Sequence, residues 1–212
     1  HCNISKANSL LALVREKTNL WQVQFGLEAK KDNIEKAKLY FAIAEMEKPG
    51  REKMMLEMAK RIAEILGLNK QKLEERFKKE KFESFGVDLT SGGKCNLKIY
   101  TLHQPSKFSE ILKNNPFPQE IEDLACFTIN RFPVKDLGIL HRVSSNSDIS
   151  SVKMWLRFRP PVEPRDFLFK IKNKLDKNTE NWLKKIYEIP GIKKKEIGYL
   201  AFENKTLTLY IR

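Results

Sequence analysis

The chain has 212 residues, 41% hydrophobic and 32% charged, and its 40 Lys and Arg against 27 Asp and Glu leave a net charge of +13. That length supports one domain, or two small ones, with a sizeable core, and no apolar run approaches the roughly 20 residues of a membrane helix. Cys2, Cys95 and Cys126 are too few and too scattered for a disulfide framework, and with three His they make no metal pattern. Collagen, coiled coil, disulfide scaffold and helical membrane protein are thereby excluded. The expectation is a single soluble, cytoplasmic domain spanning 1–212. The opening His-Cys-Asn has neither initiator Met nor signal-peptide pattern and is expected to be a truncation or tag scar.

In chain order, Ser9 to Lys17 reads as a short helix. Trp21 to Glu28 then alternates strictly, with Trp21, Val23, Phe25 and Leu27 on one face and Gln22, Gln24, Gly26 and Glu28 on the other. A turn through Lys31-Asp32-Asn33 leads to a second alternating strand, Lys36 to Ile43. Pro49-Gly50 breaks the chain, and Arg51 to Leu66 places Met55, Met58, Ala59, Ile62 and Leu66 at helical spacing. A more charged helix follows around Lys70 to Phe77.

The pattern then returns. Phe85-Gly-Val-Asp88 and Asn96-Leu-Lys-Ile-Tyr100 repeat Phe25-Gly-Leu-Glu28 and Lys36-Ala-Lys-Leu-Tyr40 at an offset of 60 residues, 85 − 25 and 100 − 40. Helices are expected near Ser106–Lys113 and Pro118–Leu124. A third strand pair is expected from CFTINRF (Cys126–Phe132) and KMWLRFR (Lys153–Arg159), with 138–152 as a loop. Helices near Arg165–Leu175 and Thr179–Ile189 precede a last pair, GYLAFEN and TLTLYIR. Four strand pairs are thus counted.

The second strands align as Lys38-Leu-Tyr40, Lys98-Ile-Tyr100, Lys153-Met-Trp155 and Thr208-Leu-Tyr210. Alternation puts Leu39, Phe41, Leu97, Ile99, Met154, Leu156, Phe158, Leu207, Leu209 and Ile211 on the face that amphipathic helices must cover. Lys36, Lys38, Tyr40, Lys98, Tyr100, Lys153, Trp155, Arg157, Arg159, Tyr210 and Arg212 fall on the other, with Glu28 and Asp88 from the first strands. On one strand such a face is ordinary wet sheet. Its recurrence over four strands suggests a lumen, because a sheet with every helix on one side tends to curl closed. There Lys and Arg would hold a diphosphate and aromatic rings would shield a carbocation.

Two-strand, two-helix repeats with a Lys-x-Tyr step resemble the ABBA aromatic prenyltransferases, the PT-barrel family. GLEAKKDNIEKAKLYF (Gly26–Phe41) is similar to the opening strand pair of the cyanobactin-type peptide prenyltransferases, and GVDLTSGGKCNLKIYTL (Gly86–Leu102) to their second pair. The resemblance covers about residues 9–102 and is architectural beyond. It implies an α+β fold: an antiparallel β-barrel of strand-strand-helix-helix units, helices outside and a polar lumen within. It also implies a prenyltransferase that moves a dimethylallyl or geranyl group from its diphosphate to an aromatic acceptor, such as a Tyr or Trp of a peptide. By that resemblance Glu28 is the base or cation stabiliser. Lys38 and Lys98 grip the diphosphate, Tyr40, Tyr100 and Tyr210 form the tyrosine shield, and Lys153, Trp155 and Arg157 join the substrate-binding set. No protein-held metal is implied, and Mg2+ is a candidate cofactor. The partners expected are an allylic diphosphate and an aromatic or peptide acceptor, with neither membrane nor nucleic acid, and the chain is expected to be a monomer. The family has ten strands, five pairs, against the four counted here.

Two alternatives stand beside it. The cationic, aromatic face of an open sheet would stack unpaired bases, with +13 driving association. A non-catalytic relative would keep the fold as a binding module. Ser91-Gly-Gly-Lys94 lacks the glycine and hydroxyl of a phosphate-binding loop and reads as a hairpin turn, and no GxSxG, HExxH or CxxC occurs.

Overall fold

A computed structural model describes residues 4–15, 21–30, 33–43, 49–90, 92–192, 195–203 and 206–211. The elements are α1 (Ile4–Arg15), β1 (Trp21–Lys30), β2 (Asn33–Ile43), α2 (Arg51–Leu66), α3 (Lys70–Phe77), β3 (Lys81–Thr90) and β4 (Cys95–His103). They continue as α4 (Phe108–Asn114), α5 (Gln119–Arg131), β5 (Val134–Val143), β6 (Ile149–Val162), α6 (Pro164–Ile171), α7 (Lys177–Glu188), β7 (Ile197–Glu203) and β8 (Thr206–Ile211). Strand order follows chain order from β1 to β8, and each described pairing is antiparallel. The chain packs as two compact units, His1–Leu102 with Leu140–Ser150, and His103–Ile139 with Ser151–Arg212.

In the first unit the alternation of the strands decides what is buried. Leu39, Phe41, Phe85, Val87, Leu97 and Ile99 share one core with Met55, Ile62, Leu73 and Phe77 of the helices, and Leu10 and Leu13 of α1 join it. Pro49-Gly50 works as the sequence suggests: Gly50 takes φ 73 just before α2, a left-handed conformation that costs glycine nothing. The next residue, Arg51, is buried and donates to the carbonyls of Phe82 and Glu83, while Glu52 accepts from Phe82 N at 2.7 Å. The first turn of α2 is therefore tied to the first residues of β3. Asn69 caps α3 by accepting from Lys72 N at 3.0 Å. The 92–94 segment is the expected hairpin turn, with Gly93 at φ 76 and Thr90 N donating to Lys94 O; Ser91 lies outside the described residues, as do Lys31 and Asp32 of the other expected turn.

In the second unit Leu137, Ile139, Met154, Leu156, Phe158, Leu200 and Phe202 of the strands meet Ile111, Ile121, Ala125, Phe167 and Ile171 of the helices. Leu207, Leu209 and Ile211 pack against the edge of that core. Two expectations are corrected here. Cys126–Phe132 is the end of α5 and its exit rather than a strand, because Ile121, Ala125 and Thr128 recur at helical spacing and bury. The expected loop 138–152 is strand, tight turn and strand, the end of β5 and the start of β6. Its turn closes by Ser144 N donating to Asp148 O, with Ser147 at φ 64. The third pair is therefore β5 and β6. Helices start and stop within a few residues of expectation except α1, which begins at Ile4, and α5, which runs past Leu124 to Arg131.

Candidate functional site

The face of each sheet opposite its helices carries the charge. In the first unit Glu28 of β1 lies opposite Lys36 and two residue pairs from Gly26 opposite Lys38. Its carboxylate accepts from Lys38 Nζ at 2.9 Å and Lys36 Nζ at 3.3 Å. Hydrogen bonds and charge from Lys38, then Lys36, hold the Glu28 carboxyl below its ordinary value, and Glu28 in return raises Lys38. Glu28 is about half exposed. Deeper on the same face, Lys98 and Asp88 form an ion pair at 2.7 Å, with side chains 12% and 7% exposed, a geometry in which desolvation makes each charge dependent on the other. Tyr40 and Tyr100 stand at 6.4 Å between ring centroids, tilted by 56°.

Glycine makes the room for these rings. A Cβ on Gly86 of β3 would come within 3.1 Å of the Tyr40 ring and 3.4 Å of Lys98 Cβ. On β5, His141 and Val143 point to the helix side, where His141 meets Phe77 edge-on at 5.0 Å and hydrogen-bonds Thr101 at 3.0 Å. Arg142, between them, points to the charged face, and its Nε is buried without a hydrogen-bond partner. Sequence reasoning missed Arg142 by treating its segment as a loop.

The second unit repeats the arrangement. Lys153 donates to the Tyr210 hydroxyl at 3.1 Å, stands 5.6 Å from its ring centre and pairs with Glu203 at 3.7 Å. Arg157 pairs with Asp136 at 3.2 Å and lies over the Tyr199 ring at 5.2 Å. Tyr199 and Tyr210 sit edge to face at 6.2 Å. Trp155 is buried, and a Cβ on Gly138 would fall 1.9 Å from its indole. Arg159 is exposed, and Arg212 lies outside the described residues. Tyr199, Asp136 and Gly138 also escaped the sequence reading. A signal was present: Leu137-Gly138-Ile139 and Ile197-Gly198-Tyr199 repeat the apolar-Gly-apolar step of Phe25-Gly26-Leu27 and Phe85-Gly86-Val87.

Lys36, Lys38, Tyr40, Lys98 and Tyr100 are thus brought onto one face with Glu28 and Asp88, and Lys153, Trp155, Arg157 and Tyr210 onto another with Asp136 and Glu203. The cations are not bare: in each unit carboxylates engage them. Among the described residues no group of three or more His, Cys, Asp or Glu could hold a metal ion, and Glu28, Asp88 and Asp136 are engaged by Lys or Arg. A protein-held Mg2+ does not fit these residues.

No family model matches the sequence, and no curated protein matches it. Solved structures do. The chain superposes on 5-dimethylallyltryptophan synthase from Streptomyces coelicolor with a TM-score of 0.61 and 13% identity, over 100% of this chain and 67% of that one. It matches the same enzyme in complex with DMASPP and Trp at 0.62, 13% identity, over 100% and 65%. PriB in its binary complex with product diphosphate matches at 0.63 and 14% identity, over 99% and 65%. The fold is that of the ABBA prenyltransferases. The chain spans about two thirds of the length of these enzymes.

Proposed function

We propose that this chain is a prenyltransferase that moves an allylic group, dimethylallyl or geranyl, from its diphosphate to an aromatic acceptor, with a Tyr or Trp side chain of a peptide as the acceptor to test first. One observation carries the reading: on a prenyltransferase fold, both units set Lys or Arg among tyrosine or tryptophan rings on the face away from the helices. The bond from the allylic carbon to the diphosphate oxygen breaks heterolytically, and the diphosphate leaves with the electron pair. Lys38 and Lys98 in the first unit, and Lys153 and Arg157 in the second, are the candidates to stabilise that growing charge, which is where such donors lower a barrier most. The rings of Tyr40 and Tyr100 in the first unit, and of Trp155 and Tyr210 in the second, are the candidates to shield the allylic cation. The acceptor ring carbon forms the new bond, and its proton leaves to a base.

Glu28, held ionised by two lysines, is better suited to stabilising the cation than to taking a proton, since its depressed pKa weakens it as a base. Mg2+ belongs in this proposal as an ion carried by the diphosphate oxygens, and the chain's own lysines and arginines supply the rest of the neutralisation. A single domain over 1–212 and a cytoplasmic setting complete the proposal. The test is incubation with dimethylallyl and geranyl diphosphate and Tyr- or Trp-containing peptides, with and without EDTA, read by mass spectrometry. A mass gain of one prenyl unit on the peptide is expected. No prenylated product with any aromatic acceptor overturns the reading in favour of a binding module on the same fold.

A further inference from the structure

On the charged face of the first unit, acids and lysines alternate from strand to strand. Glu28 of β1 accepts from Lys36 and Lys38 of β2. Lys38 stands opposite Asp88 of β3. Asp88 in turn takes Lys98 of β4 with both carboxylate oxygens, at 2.7 and 2.9 Å. Each of these lysines therefore has a carboxylate on or beside it before any ligand arrives. Because Asp88 and Lys98 are largely out of solvent, separating them carries a large desolvation cost unless another anion takes over.

Arg142 differs from them. It belongs to the same unit through the segment Leu140–Ser150. The residue is half-buried, its Nε is buried without a hydrogen-bond partner, and no carboxylate among the described residues pairs with it. A buried guanidinium N–H left unpaired subtracts from stability, so this arginine is not held here for what its head group adds to folding. It is a standing donor for an anion that the chain does not itself supply.

A contact on the helix side fixes where Arg142 stands. His141 Nε2 and Thr101 Oγ1 lie 3.0 Å apart there, which brings β4 and β5 level at these residues. In an antiparallel pair the residues one step along, Tyr100 and Arg142, then stand together on the charged face. Lys98 is the next residue of β4 on that face, and the Tyr40 ring lies 6.4 Å from that of Tyr100. Arg142, Tyr100 and Lys98 thus share one row, in which Asp88 already engages Lys98 and nothing engages Arg142.

We propose that Arg142 anchors the diphosphate in the first unit, and that Asp88 is a competitor which the diphosphate displaces from Lys98. This rests on reading that face as a diphosphate site, and it adds an arginine outside the repeated Lys-x-Tyr steps and a carboxylate that limits affinity. Arg142 attracts the anion without an ion pair having to break first, and its planar fork suits two phosphate oxygens. Charge on the diphosphate grows as the allylic bond breaks, and Lys98 then passes from Asp88 to the leaving group. Return of Asp88 to Lys98 favours release of the product diphosphate.

Calorimetric titration of the intact chain with inorganic diphosphate tests it, alongside thermal melts of each variant. Arg142→Met is expected to weaken binding about 10- to 100-fold, the range for one hydrogen bond to a charged group, with a melting temperature unchanged or raised. Arg142→Lys should recover part of the affinity, since it keeps the charge and loses the fork. Asp88→Asn is expected to tighten binding about tenfold, at the low end of what one neighbouring charge does to another; if that variant does not fold, the arginine variants decide alone. A wild type that binds diphosphate and an Arg142→Met chain that binds it equally well overturn the anchor and leave the lysines as its holders, with prenyl transfer untouched. Lost affinity together with a lower melting temperature makes Arg142 structural and also overturns it. Weaker binding by a folded Asp88→Asn means that Asp88 positions Lys98 instead of competing for it, which overturns that half. A wild type that binds no diphosphate overturns the whole site, whereas normal diphosphate binding without any prenylated product overturns only the proposed reaction.

Discussion

Glu28 shows how much a single side chain takes from its neighbours. Read as an isolated carboxylate on a wet face it would be silent, yet Lys38 and Lys36 both bind it and lower its pKa. The stabilising effect of a depressed carboxylate is present above its unfolded pKa, ordinarily 4.5, and is lost as pH falls through the lower folded value. Glu28→Gln should therefore leave the melting temperature near pH 7 almost unchanged, since the group is half exposed, and should flatten the acid limb of stability below the ordinary carboxylate range. On the proposed function the same variant lowers turnover about 10²- to 10³-fold, the loss typical of removing one group that stabilises transition-state charge, while diphosphate affinity holds, because the carboxylate would face the cation and not the phosphates. Thermal melts against pH, with product formation and diphosphate binding at pH 7, check all three outcomes. Equal loss of binding and turnover would place Glu28 in diphosphate binding instead. Gly138 is as exacting for a different reason. Its missing Cβ is the space the Trp155 indole fills, so Gly138→Ala must displace a buried ring at a cost of about 1–3 kcal/mol. Trp155→Leu in the same chain should recover part of that loss, and a double-mutant cycle by chemical denaturation measures the coupling.

At the level of elements, α3 is a short helix whose interior face supplies Leu73 and Phe77 to the core. Eight residues gain little from propensity, so its cap matters. Asn69→Ala removes the acceptor for Lys72 N and should cost about 1 kcal/mol; a melting curve reads it, and no change would show that packing alone holds the helix. The elements also show what sequence can and cannot carry. Period-two alternation made β1, β2, β4 and the 153–159 part of β6 legible, and the 60-residue offset tied the first two pairs together. It failed at β5. Val134–Val143 runs Leu137-Gly138-Ile139-Leu140-His141, where Leu140 and His141 break the polar-apolar rhythm because both faces of that strand are buried there. A strand buried on both faces has no wet side to announce it. CFTINRF imitated a strand for the opposite reason: its apolar residues suit a helix flank equally well, and only the packing of Ile121, Ala125 and Thr128 decides. At the site, the lysines and tyrosines were legible because they repeat. Their acid partners were legible only in part, because the pairing of Arg157 with Asp136 depends on a strand the sequence hid.

For the molecule as a whole, the charge of +13 has to be placed before it can be interpreted. On the face away from the helices, Lys98, Lys153 and Arg157 are each bound to Asp or Glu. Much of the excess sits instead on the helices and their exits, in exposed residues such as Lys53, Lys78, Lys79, Lys177 and Lys185. A polyanion should therefore meet a diffuse cationic exterior and not an aromatic platform. Two binding modes then differ in measurable ways. Base stacking on Tyr40, Tyr100 or Tyr210 would lose roughly 1–3 kcal/mol for each ring removed, whereas exterior charge contacts ignore the rings and weaken with salt, by about 0.7 in log K per decade of salt for each phosphate engaged on a single strand. The expected result with a fluorescent oligo-dT is weak binding with a steep salt slope, and affinity unchanged by Tyr100→Ala or Tyr210→Ala. If either substitution cuts oligonucleotide affinity about tenfold at fixed salt, the rings are stacking bases and the nucleic-acid reading displaces prenyl transfer. Diphosphate should behave in the opposite sense. Its small, dense charge competes for Lys98 and Arg157 where surrounding protein limits screening, so its affinity should be far less sensitive to salt than that of the oligonucleotide.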